Sequence, residues 1–138
     1  MNKPIQGGCL CGAIRYEAKG TPVASTLCHC ASCRRASGAP SLAWLVFNED
    51  DFAFVAGTPT VFESSPGVLR TFCGKCGTSL TYQRQTKPGT IDITTATLDH
   101  ADDFAPTKEI WVGEKLAWES LNGMAAVFPA SSKASPNT

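Results

Sequence analysis

The sequence predicts an all-β fold with little helix, on two observations. Short segments rich in β-branched and aromatic residues recur along the chain, and 12 glycines and 9 prolines separate them at close intervals. The segments are 13–18, 41–47, 60–63, 68–72, 79–83, 90–98 and 109–112. In the first, Ile14 and Tyr16 alternate with Arg15 and Glu17, the period-two pattern of a strand with one buried face. Ile91, Ile93 and Thr95 alternate with Asp92 and Thr94 in the same way. Helix is expected only over 31–37 and in a turn after Asn48, whose side chain can cap 49–51. Trp44, Phe47, Phe52, Phe54, Phe62 and Phe72 read as core residues, and Trp111 and Trp118 as packing residues.

A chain of 138 residues is long enough for one hydrophobic core and short for two. The expectation is a single domain over 1–130 and a disordered polar tail over 131–138. Twelve basic and twelve acidic side chains cancel, so no basic field exists to attract nucleic acid or an anionic membrane. The opening residues contain no apolar run of the signal-peptide kind, and no stretch approaches the roughly 20 apolar residues of a membrane span. The chain therefore reads as soluble and cytoplasmic.

A reducing compartment makes clustered cysteines metal ligands rather than disulfides, and seven is an odd number for a disulfide framework. A division into four and three uses every thiol in one closed and one open zinc site. The first cluster, Cys9 and Cys11, is flanked by Gly7, Gly8 and Gly12. The third, Cys73-Gly74-Lys75-Cys76-Gly77, has the form of a zinc knuckle whose glycines permit positive φ. Together they supply four thiolates, enough to fill a tetrahedral shell, and they join segments about sixty residues apart, as a structural site does.

The second cluster places Cys28, Cys30 and Cys33 within six residues, close enough for one ion, with no obvious fourth ligand. In an extended segment His29 points away from the face that Cys28 and Cys30 share. An exchangeable fourth position is what catalytic zinc requires. In the competing reading His29 or the distant His100 closes the shell and both metals staple the fold. An iron–sulfur cluster is a further alternative, although the spacing matches no common ferredoxin pattern.

The three clusters together resemble the glutathione-dependent formaldehyde-activating enzyme family, also called the centromere protein V type domain. Gly8-Cys9-Leu10-Cys11-Gly12 with the following Ile14-Arg15-Tyr16 resembles its opening motif, and Cys28-His29-Cys30-Ala31-Ser32-Cys33-Arg34 its central one. The run from Arg70 through Cys73 and Cys76 to Leu80 resembles the third, and the likeness extends from about Gly7 to Trp118. The resemblance implies a β-tent of small antiparallel sheets around a structural zinc. It also implies two Zn²⁺ per chain, with Cys9, Cys11, Cys73 and Cys76 as structural ligands and Cys28, Cys30 and Cys33 as ligands of the reactive ion. The implied activity is that of a carbon–sulfur lyase on glutathione adducts such as S-hydroxymethylglutathione, formed from formaldehyde. A non-enzymatic zinc module with both metals structural is the competing class. Where many members carry a histidine before an Ile-Trp pair, this chain has Glu109 before Ile110 and Trp111.

Three thiolates on Zn²⁺ leave a net charge of −1, and a fourth makes it −2, so neighbouring cations must offset that charge. Arg34 and Arg35 are the nearest in sequence and are candidates for holding a glutathione carboxylate. Arg70, Ser64 and Ser65 precede the third cluster and read as a turn followed by a strand, with a place in the pocket as the alternative. His29 is read as a packed or neighbouring histidine rather than a catalytic one.

Overall fold

The computed structural model describes residues 3–121, 123 and 126–132. Of the expected tail only Ser131 and Ser132 fall within the described residues. Among these the all-β expectation holds: eleven strands and one α-helix, with short 3₁₀ turns between them. The strands are β1 (Ile5–Gly8), β2 (Arg15–Ala18), β3 (Ala24–Cys28), β4 (Leu42–Asn48), β5 (Phe52–Ala56), β6 (Thr60–Ser65), β7 (Val68–Phe72), β8 (Ser79–Arg84), β9 (Thr90–Thr94), β10 (Lys108–Ile110) and β11 (Ala126–Val127). The helix α1 spans Ala31–Ser37.

Two sheets result. The first has three strands in the order β1-β2-β5, and the second has eight in the order β11-β10-β3-β4-β9-β8-β7-β6. All pairings are antiparallel except those of β10 with β3 and β11, which are parallel. The core lies between the sheets: Ile14, Tyr16 and Ala18 from β2 and its approach meet Leu45 and Phe47 of β4 and Ile91 and Ile93 of β9. Gly7 permits this closeness, since a Cβ there would stand 2.4 Å from the Tyr16 hydroxyl and 2.6 Å from the Thr97 carbonyl oxygen.

Four strands have no counterpart among the segments read from the sequence: β1, whose two glycines look like a turn; β3, made mostly of small residues; β5, which follows the Asn48 turn directly; and β11, which is two residues long. Tertiary pairing overrides weak local propensity in β1 and β3. The turn after Asn48 is present as a 3₁₀ helix over Glu49–Asp51, but the Asn48 side chain makes no capping hydrogen bond. Thr94 is buried despite its expected outward position, because its hydroxyl donates to the Ser79 carbonyl at 2.8 Å. Phe62 and Trp118 are also corrections, being 59 % and 72 % exposed: Phe62, on the edge strand β6, stands opposite Arg70 on the sheet face away from the core, and Trp118 lies outside the strands and the helix, at a surface pocket.

The helix is as the sequence implies. Cys30 occupies the N-cap with its sulfur accepting from the Cys33 amide at 3.3 Å, and Gly38 ends the helix at φ 72°, donating to the Arg34 carbonyl at 2.7 Å.

Candidate metal centres

Cys9 and Cys11 stand in the turn between β1 and β2, and Cys73 and Cys76 in the turn between β7 and β8. Each turn is closed locally, by Gly12 N–H donating to the Cys9 carbonyl at 3.1 Å and Gly77 N–H to the Cys73 carbonyl at 2.8 Å. Gly77 has φ 82°, as a knuckle requires. Gly74 serves differently from the expectation: its φ is ordinary, and a Cβ there would come within 2.6 Å of the Thr60 hydroxyl.

The four sulfurs all lie within 4.8 Å of one another, with Cys9 to Cys11 at 3.6 Å and Cys11 to Cys73 at 3.7 Å. Sulfurs about 2.3 Å from a tetrahedral zinc stand about 3.8 Å apart, so this donor set fits one such ion. Polar groups are arranged to favour thiolates: Ile14 N–H donates to Cys9 Sγ at 3.3 Å and Lys75 N–H to Cys73 Sγ at 3.4 Å. The Thr78 hydroxyl, 3.2 Å from Cys76 Sγ, leads the hydrogen bonds that hold the Cys76 thiol down to about 5.

The second set is local in sequence but enclosed by distant strands. Cys28 ends β3, Cys30 caps α1 and Cys33 sits inside it; their sulfurs lie within 4.8 Å of one another. Trp44 of β4 is buried with them, and Leu42, Tyr82, Ile110 and Trp111 pack around the group. Trp111 is in the left-handed region at φ 57°, a costly conformation for a bulky side chain, and it stands beside this set. Hydrogen bonds from Cys28 and Cys33 hold the Cys30 thiol down to about 2, while Cys30 and Cys33, together with burial, push the Cys28 thiol far up. One proton leaves this set easily and the others do not, which is the condition that a central cation relieves.

No other described His, Cys, Asp or Glu joins either set. His29 turns away from its flanking cysteines: its Nε2 lies 2.8 Å from Glu109 Oε1, with both side chains fully buried. The His29 amide donates to the Ile110 carbonyl at 3.0 Å, so the residue ties the start of α1 to β10. Sequence reasoning gave Glu109 no structural role. The local sequence carries no signal for it, since the β3 segment Ala24–Cys28 and the β10 segment Lys108–Ile110 are paired only by the tertiary fold.

Arg34 and Arg35 line a surface pocket of about 370 Å³ whose other walls include Pro40, Leu116 and the exposed Trp118. The Arg34 Nε is buried without a hydrogen-bond partner among the described residues. A different cation, Arg70, lies over the ring of Tyr82 at 4.9 Å, Tyr82 packs against the three-cysteine set, and the Arg70 charge adds to the hydrogen bonds that lower the Cys30 thiol. Ser64 binds its Nε at 3.1 Å.

The pattern of the family described as glutathione-dependent formaldehyde-activating enzyme matches residues 4–114, a stretch that contains both cysteine sets. The chain belongs to that family. A solved structure of a Rhodobacter sphaeroides protein is similar to this member, with 26 % identity and a TM-score of 0.58 over 69 % of this chain and 88 % of that one. No curated protein matches it. Among the described residues of this family member, no helix is long and apolar enough to cross a membrane.

Proposed function

We propose that the protein is a zinc-dependent carbon–sulfur lyase acting on thiol adducts, with glutathione as the thiol and S-hydroxymethylglutathione as the adduct. The observation that carries this reading is the three-cysteine set itself, which no fourth described ligand joins, in a chain of the glutathione-dependent formaldehyde-activating family. Cys9, Cys11, Cys73 and Cys76 hold a structural zinc, and Cys28, Cys30 and Cys33 the reactive one. Zinc bound there supplies a Lewis-acidic position that favours the thiolate over the thiol near neutral pH.

The chain's own residues set the surroundings. Trp44, Tyr82 and Trp111 wall the set and limit water, which strengthens electrostatic interactions inside it. In this reading Arg34 and Arg35, which line a pocket at the end of α1, meet one anionic part of the adduct. In the synthetic direction the thiol sulfur bonds to the formaldehyde carbon and the thiol proton ends on the former carbonyl oxygen. In the lytic direction the carbon–sulfur bond breaks and the proton returns to sulfur.

Cobalt replacement tests the reading, because thiolate coordination to Co²⁺ produces charge-transfer bands. Glutathione should change the visible spectrum of the cobalt protein, and the analogue with hydroxyl in place of thiol should not, since a thiolate-rich site favours sulfur over a neutral alcohol. A spectrum untouched by saturating glutathione and by other small thiols would transfer the assignment to a structural zinc module.

A further inference from the structure

The strand register sets a second cation beside the three-cysteine set. Across β7, β8, β9 and β4, Arg70 stands opposite Tyr82, Tyr82 opposite Asp92, and Asp92 opposite Val46. The adjacent row contains Ile93 and Leu45, which belong to the core between the sheets. Because side chains alternate, the Arg70, Tyr82 and Asp92 row lies on the opposite face of the large sheet. Trp44 and Leu42, two and four residues from Val46, share that face, and Leu42 is opposite Cys28. Tyr82 spans the interval: its ring lies 5.9 Å from that of Trp44 and under the guanidinium of Arg70 at 4.9 Å.

We propose that Arg70 is the specificity-determining residue that receives a carboxylate of the thiol adduct, holding the adduct across the Tyr82 ring toward Cys28, Cys30 and Cys33. This rests on the thiol-adduct reading above and deepens it: the substrate class becomes adducts of carboxylate-bearing thiols. The guanidinium is preorganised by stacking on Tyr82 and by donation from Nε to Ser64 Oγ at 3.1 Å. Its Nη1 and Nη2 groups make no hydrogen bond or ion pair with a described residue, which leaves the planar fork that matches a carboxylate bidentately. The acid in the same row does not compete strongly for that fork. Burial pushes the Asp92 carboxyl up to about 7, against the opposing pull of Arg84 and Arg70. Arg34 and Arg35 line a separate pocket that contains neither Arg70 nor Tyr82.

The test compares glutathione with glutathione diethyl ester, whose carboxylates are blocked, on the cobalt-substituted full chain. Affinities come from the charge-transfer bands. The wild-type protein should bind glutathione at least about tenfold more tightly than the ester, the scale of a hydrogen-bonded charge pair. Arg70→Met should cut that preference at least about threefold while leaving the ester's affinity within about twofold, and Arg70→Lys should restore part of it. Equal weakening of both ligands, or retention of the full preference in Arg70→Met, overturns the proposal while the thiol-adduct reading stands. Failure of both ligands to change the wild-type spectrum overturns both. If Arg70→Met does not fold, Arg70→Lys decides the matter: it keeps the charge but not the fork, and an undiminished preference for glutathione overturns the proposal.

Discussion

Two acidic side chains near the three-cysteine set are handled in opposite ways. Glu109, with no exposed surface, is matched to the equally buried His29 at 2.8 Å, so its charge or its proton has a defined partner. Asp92 makes no hydrogen bond to a described residue, and burial outweighs the attraction of Arg84 and Arg70 to push its carboxyl from an ordinary value of 3.8 up to about 7. The sign of its effect on stability follows. Below about 4 Asp92 is protonated in both folded and unfolded chains; between about 4 and 7 only the folded chain keeps the proton; so stability from this group falls as pH rises through that window and levels off above it. Asp92→Asn should therefore stabilise the domain relative to wild type at pH 8 by roughly 1–2 kcal/mol and have little effect at pH 4. Thermal melts at the two pH values check this, and equal shifts at both would contradict it.

At the scale of elements, the two metal sets differ in what they connect. Cys11 and Cys73, 62 positions apart and 3.7 Å between sulfurs, bring the β1–β2 turn of the small sheet against the β7–β8 turn of the large one. Losing a ligand there releases a cross-link between sheets. Cys28, Cys30 and Cys33 lie at the end of β3 and in α1, which the backbone bonds from His29 to Ile110 and from Gly38 to Arg34 also hold. Cys73→Ser or Cys76→Ser should thus unfold the domain or cost it about 3 kcal/mol or more, whereas Cys30→Ser should cost about a third of that. Thermal melts at equal zinc concentration distinguish the two classes, and equal losses in all three variants would remove the division into a structural and a reactive site.

For the molecule as a whole, the arrangement places one set of sulfurs at the junction of two sheets and the other beneath the outer face of the larger sheet, beside the Arg70, Tyr82 and Asp92 row. Protein purified without chelator should contain about two zinc ions per chain, because four and three convergent thiolates make two separate donor sets. Chelation should remove the ion of the three-cysteine set first and leave the fold largely intact, then unfold the chain as the second ion leaves. Elemental analysis paired with circular dichroism follows both steps. Stoichiometric iron with labile sulfide would exclude this account.

Much of the candidate site was legible in the sequence because its information is local. The spacings of Cys28, Cys30 and Cys33, and of Cys73 and Cys76, lie within single turns, and ligand counting already joins the two pairs into a set of four. The helix over Ala31–Ser37 was readable for the same reason, its glycine stop being adjacent. Strand partners, by contrast, are set by packing across the whole chain. Nothing near Arg70 announces that Tyr82 lies beneath it, and nothing near Glu109 announces that β10 runs parallel to β3 and carries its carboxylate to His29. The same limit explains Phe62 and Trp118, whose apolar side chains suggested burial, while their positions in the tertiary structure leave them exposed. Residue type and spacing determined which side chains can hold a metal. The cross-strand register decided what surrounds it, because a neighbour across a sheet is defined by hydrogen-bond pairing and not by distance along the chain.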